Sequence, residues 1–289
     1  VNDPQHIDRA VQHTLNVQRS YQAALSRYHT RSRLARISWG TWIIVLGTTL
    51  LWCITATQAA QAVGAHSLTA IITQISHNAI NTQANSDNSL TTVLLRYGAK
   101  ENSLLEQGQY WRFILPIFLH VNLLHVGLNM LNLLALGLFI ERLVGHIRLV
   151  LIYLITGIIS TITSFWFAPA VISVGASGAI FGLVGAYCIF ILVHRRAFPY
   201  GGLFTLLWLL LVIGLNLGIG LVLPNVDNYA HLGGLISGFW LGWCFMPLYR
   251  ADKEQKLNDI HQLRHRWPLA LLTILGTLLF AVLALHLGN

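Results

Sequence analysis

Apolar residues along this chain gather in seven unbroken runs separated by polar stretches. The runs cover roughly residues 38–56, 114–140, 147–168, 175–194, 202–223, 229–248 and 267–287. Runs of about 18 or more apolar residues mark membrane-spanning helices. They lack the residue-by-residue alternation of a transmembrane barrel strand. The pattern predicts an all-α polytopic membrane protein. Two polar stretches are long. Within 1–36, Ile7, Val11, Leu15, Tyr21, Leu25 and Tyr28 form a loose helical stripe among Arg, Gln and His, the mark of a solvated or interfacial helix. Residues 57–113 are rich in Ser, Thr, Asn and Gln. Connections this long are uncommon unless functional or partly disordered.

Composition supports the membrane reading. The 289 residues are 55% hydrophobic and 10% charged, with mean hydropathy +0.60, against about 25% charged in a soluble domain. The net charge of +8 reads as topology rather than as nucleic-acid binding. If the seven spans alternate direction, all of the 18 Lys and Arg residues except Arg96, Lys100 and Arg112 fall on one side. That predicts a cytoplasmic N-terminus and an external C-terminus, in a plasma membrane of bacterial type. The first apolar run begins too late for a cleavable secretory signal. Cys53, Cys188 and Cys244 lie inside apolar runs with no CxxC spacing. They read as small hydrophobes rather than as disulfides or metal ligands.

Polar side chains inside membrane helices are costly and point to function. Span two holds His120, His125 and Asn129, span four opens near Ser177, and span six opens at His231. With alternating topology all three helices start outside, so these residues collect in the outer half of the membrane. His125 and Asn129 are four apart and share a helical face. In a helix starting at 114 they lie roughly 16–22 Å along the axis. His120 would be rotated about 140° from His125, outside the same pocket, as a structural hydrogen-bonding residue near its mouth. Asp227, four residues before His231, reads as a loop or cap residue. Glu141 beside Arg142 reads as a local salt bridge or cap at the cytoplasmic end.

Small residues link the serine to a histidine. Gly178, Gly182 and Ala186 repeat every four residues in span four, as do Ala230, Gly234, Gly238 and Gly242 in span six. Such stripes allow close helix contact. Ser177 and His231 each adjoin the first member of a stripe, so packing the two helices brings the pair together. A hydroxyl becomes nucleophilic when a base takes its proton, and a histidine suits that task. With no well-placed acid, a Ser–His dyad is the economical reading. His125 and Asn129 could donate hydrogen bonds to an oxyanion, together with free N–H groups at the start of span four.

These residues resemble the rhomboid family of intramembrane serine proteases. The resemblance is carried by Trp111–Arg112, His120-xxxx-His125-xxx-Asn129, Gly137-xxx-Glu141-xxx-Gly145, Gly175-Ala-Ser177-Gly178 and Ala230-His231-xx-Gly234-xxx-Gly238. It covers about 95–250. It implies a six-helix core over 37–250 that includes the external loop 57–113. A cytoplasmic segment 1–36 precedes that core, and a linker with a seventh helix, 251–289, follows it. It implies Ser177 as nucleophile, His231 as general base, and His125, Asn129 and the Ser177 N–H as oxyanion donors. Trp111 and Arg112 would be structural residues of the external loop. Phe181 stands where some relatives carry a Tyr stacked on the catalytic histidine. The implied substrates are transmembrane proteins cleaved near the outer face in locally unstable segments, with span five a candidate gate. No metal, cofactor or nucleic acid is implied. Two other classes stay open: a catalytically inactive relative acting as a membrane chaperone or binding protein, and a His-lined metal-dependent membrane protein. The latter lacks HExxH or a nearby acidic ligand.

Overall fold

Asn122 decides where the second long helix begins. Its side chain accepts a hydrogen bond from His125 N at 2.7 Å and caps the helix, satisfying one of the otherwise orphaned first-turn donors. The helix therefore runs Leu123–Val144, not from 114 as the apolar run predicted. Residues before it form two 3₁₀ turns, Tyr110–Phe113 and Leu115–Phe118, the second with Pro116 near its start. An apolar run does not distinguish helix from apolar loop; the cap does.

The structure, a computed structural model, describes residues 38–78, 89–195, 198–222, 226–251, 257–261 and 263–287. The predicted interfacial stripe in 1–36 lies outside these residues. The elements in order are α1 (Trp39–Ala62), α2 (Leu68–His77), α3 (Ser89–Arg96), α4 (Asn102–Glu106), α5 (Leu123–Val144), α6 (His146–Phe167), α7 (Ser177–Val193), α8 (Leu203–Val222) and α9 (Asn228–Phe245). A short hairpin of β1 (Tyr249–Ala251) and β2 (Leu257–Asp259) follows, then α10 (Leu263–Leu287).

Seven apolar helices thus match the seven predicted runs, with two corrections. The described part of 57–113, read as a loop, carries several helices: α1 continues to Ala62, and α2, α3 and α4 follow. Their short amphipathic segments escaped a search tuned to long apolar runs. The linker predicted from 251 begins inside a two-stranded antiparallel ladder with Tyr249 opposite Asp259. Arg148 at the start of α6 fastens it, with Nη2 2.6 Å from Asp259 Oδ2.

Five helices among the described residues are long and apolar enough to cross a membrane: α1, α5, α6, α8 with the turn before it, and the main part of α10. The helices carrying Ser177 and His231 are not among them. α7 has 17 residues and α9 is rich in glycine. Both are central, and 13 residues of α7 are buried. Protein surrounds most of α7, which therefore needs less apolar length, whereas α9 keeps one outward apolar face at Leu232, Ile236, Trp240 and Trp243.

Missing side chains set the helix spacing. A Cβ on Gly234 would overlap the carbonyl oxygen of Gly178, and one on Gly238 that of Gly182. A Cβ on Gly242 would stand 2.7 Å from Ala186 Cα. The two stripes face each other as predicted. The α7 glycines serve a second contact as well. A Cβ on Gly178 would overlap Ser160 Oγ, and one on Gly182 would overlap Thr156 Oγ1, both on α6. Small residues thus let α7 close on α6 and α9 together.

At the opposite end of the bundle from Ser177, Glu141 is buried and binds a different helix from the one expected. Its carboxylate accepts from Gly40 N and Thr41 N, both at 2.8 Å, and from Thr41 Oγ1 at 2.5 Å, and it contacts His146 Nδ1. It caps the start of α1 in addition to the local pairing with His146. A carboxylate at a helix N-terminus meets unpaired N–H groups and the positive end of the dipole. Asp227 caps as expected, accepting from Ala230 N at 2.9 Å at the start of α9.

Candidate active site

Ser177 is the first residue of α7 and His231 lies in the first turn of α9. The glycine contacts bring these two helix ends together. Ser177 Oγ lies 2.8 Å from His231 Nε2, a side-chain hydrogen bond. Phe181, one turn below Ser177, stacks on the His231 ring with centroids 4.7 Å apart and planes 8° apart. This fixes the ring plane, while the hydrogen bond fixes its rotation. His231 Nδ1 has no hydrogen-bond partner among the described residues, and no described carboxylate makes a third member. A hydroxyl bonded to an imidazole nitrogen is arranged for proton transfer.

The wall opposite His231 comes from the segment before α7 and the start of α5. Gly175 has φ +130°, a region that side chains rarely adopt. A Cβ there would meet His125 Cε1 at 2.8 Å and Nε2 at 2.9 Å, and Ser177 Oγ at 3.8 Å. His125 therefore lies across Gly175 from the serine, and only glycine leaves it room. Asn129 is buried one turn further along α5, and its amide donates to His125 O at 2.9 Å. One amide proton is left for another acceptor. Because α5 starts at Leu123, His125 and Asn129 occupy its first two turns rather than its middle.

His120 requires a correction. It lies before α5, not on it, so the helical angle that set it apart from His125 does not apply. Its buried ring packs edge-to-face on His125 with centroids 4.9 Å apart. Its Nε2 accepts from Ala176 N at 3.3 Å. It thus touches both the His125 ring and the residue before Ser177. Its structural hydrogen bond was anticipated; its contact with the pocket was not.

Two further marked residues, Trp111 and Arg112, lie in the 3₁₀ turn Tyr110–Phe113. Arg112 is buried and donates from Nη1 to Ala99 O at 2.7 Å and from Nε to Gln109 Oε1 at 2.8 Å. Trp111 beside it is half exposed. Two contributors drew no notice in the sequence. Asn122 caps α5, and its position three residues before His125 was a legible signal. Lys100 is wholly buried and donates to Ala168 O at 2.7 Å and Val171 O at 3.0 Å. Burial pushes its amine down to about 8, against the pull of Asp227 and Glu101.

A family comparison matches this same region. The Rhomboid domain model aligns with residues 107–248, which span the 3₁₀ turns, α5 to α9 and both members of the Ser177–His231 pair. The chain carries a rhomboid domain. Among curated relatives, it is 43% identical over 159 residues to Rhomboid protease GluP of Bacillus subtilis, 55% of this chain and 30% of that protein. It is 41% identical over 170 residues to RHOMBOID-like protein 6, mitochondrial, of Arabidopsis thaliana, 58% of this chain and 55% of that one. It is 35% identical over 150 residues to Rhomboid-type serine protease 2 of Emericella nidulans, 51% of this chain and 29% of that one. The chain spans less than two thirds of each of these relatives. Segments before the rhomboid domain, including α1 to α4, and α10 after it lie outside the match.

Proposed function

We propose that this rhomboid domain is an intramembrane serine endopeptidase acting on transmembrane proteins. The observation that carries the reading is the 2.8 Å hydrogen bond between Ser177 Oγ and His231 Nε2, held by the Phe181 stack. Relatives named as rhomboid proteases support the same reading. Ser177 Oγ attacks the peptide carbonyl carbon as its proton passes to His231 Nε2. His231 returns that proton to the amide nitrogen as the C–N bond breaks. Water then hydrolyses the acyl-serine with the same base. His125, Asn129 and the Ser177 N–H donate to the oxyanion.

A substrate helix must unwind before its carbonyls are available, because helical carbonyls are already hydrogen-bonded. Segments of low helix stability near the Ser177 end are therefore the substrates this site suits. The charge distribution supports a membrane orientation with that end outside, the N-terminus cytoplasmic and the C-terminus external.

The test uses purified protein in detergent with a labelled transmembrane substrate. The intact sequence should cleave, while Ser177→Ala and His231→Ala should not. Equal processing by intact and Ser177→Ala protein would reject the serine mechanism. No cleavage by any of them, with no reaction of Ser177 toward a fluorophosphonate, would favour an inactive binding protein.

A further inference from the structure

Every group that Lys100 holds lies on the segment that leads to Ser177. Its main chain pairs with Ser173 in both directions, each N–H···O at 3.1 Å. Ser173 is four residues before Ser177. Its side-chain ammonium binds the carbonyls of Ala168 and Val171, and Ala168 is the C-cap residue of α6. A cation there meets orphaned carbonyls and the negative end of the helix dipole. The segment from Ala168 to Ala176 has no helix or sheet of its own beyond that one bridge. It is tied down by Lys100 at residues 168, 171 and 173, by Pro116 O at Gly175 N, 2.9 Å, and by His120 at Ala176 N. Lys100 itself is braced on both sides. Arg112 holds the carbonyl of Ala99, and Asn102 donates to Phe165 O at 2.9 Å.

A buried ammonium needs compensating partners, and the carbonyls of Ala168 and Val171 supply them.

We propose that Lys100 is a positioning residue for the Ser177–His231 pair. Its ammonium fixes the segment that delivers Ser177 to His231. The inference rests on the reading of Ser177 as nucleophile. Without the ammonium, the Val171 carbonyl loses its donor, the Ala168 carbonyl keeps only the Val171 N–H, and the segment is free to shift. A shift of about 1 Å at reacting atoms costs on the order of 100-fold in rate.

The experiment is active-site labelling of the full chain in detergent by a fluorophosphonate, recording both rate constant and final stoichiometry. Intact protein, Lys100→Met, Lys100→Arg and Ser177→Ala are compared, with substrate kcat and KM measured in parallel. Lys100→Met should label to full stoichiometry but about 10- to 100-fold more slowly. Its kcat should fall by a similar factor at little-changed KM. Lys100→Arg, which keeps a cation and donors, should recover part of the rate. Labelling of Lys100→Met at the intact rate overturns the inference, whether stoichiometry is full or reduced; reduced stoichiometry alone marks a folding role. If Lys100→Met does not fold, Lys100→Gln is read by the same two numbers, and an intact rate there overturns the inference equally. Failure of the intact protein itself to label would instead reject the nucleophile reading.

Discussion

Gly234 of α9 lies against the carbonyl oxygen of Gly178 on α7 so closely that a β-carbon would overlap it. Gly178 follows Ser177 in sequence, and Gly234 is three residues after His231. The glycine contact and the 2.8 Å Ser177–His231 hydrogen bond are therefore one arrangement. The backbone approach sets the distance at which the two side chains meet.

A methyl group at Gly234 must push α9 away from α7, because the atom it meets is backbone and cannot rotate aside. Gly234→Ala should lower stability by about 1–3 kcal/mol, the usual cost of overpacking. It should also slow Ser177 labelling by more than the loss of folded protein explains. Gly276→Ala on α10, where a Cβ meets nothing within 4 Å, is the control and should neither lower stability nor slow labelling. Thermal melting in detergent and fluorophosphonate labelling read the two effects.

Phe181 orients His231 by stacking. Such an aromatic contact is worth about 0.5–1.5 kcal/mol, or roughly two- to tenfold in rate. Phe181→Leu should reduce kcat by that factor, and Phe181→Tyr should keep it near that of the intact protein. An unchanged kcat in Phe181→Leu would remove the stack from the account of the site.

Glu141 should matter to folding and not to chemistry. Its removal leaves the Gly40 and Thr41 donors buried without an acceptor, at about 1–3 kcal/mol for each unpaired group. Glu141→Ala should melt several degrees lower. The fraction that remains folded should label at the intact rate, because Glu141 sits at the far end of the bundle. A slower rate at full folding would contradict this separation.

Lys100 predicts a pH dependence of stability. Its folded amine titrates near 8, below the ordinary value of 10.5. Between these values the unfolded chain binds more protons, so stability rises with pH across the window. Below about 8 both states are protonated and the burial penalty stands in full. The difference in melting temperature between intact protein and Lys100→Met should therefore change from pH 8 to 10.5 and be flat below. A constant difference across that range would place the amine's titration elsewhere.

Local pattern determined a great deal about this protein. Seven apolar runs marked seven apolar helices, five of them long and apolar enough among the described residues to cross a membrane. The four-residue spacing of small side chains in the Gly178 and Gly234 stripes specified which faces approach. The polar residues Ser177, His231, His125 and Asn129 marked the pocket because lipid tolerates few such groups. All of these are properties of one helix at a time, or of two matching helices. Tertiary structure decided the rest. Asn122, not the edge of an apolar run, set the start of α5, and so moved His125 and Asn129 to the helix end and His120 off the helix. Glu141 found its donors about a hundred residues away, on α1. Lys100 found its acceptors about seventy residues away, beyond the end of α6. Buried polar groups must be satisfied wherever a partner lies. Sequence spacing does not record partners that only the packed chain brings within reach.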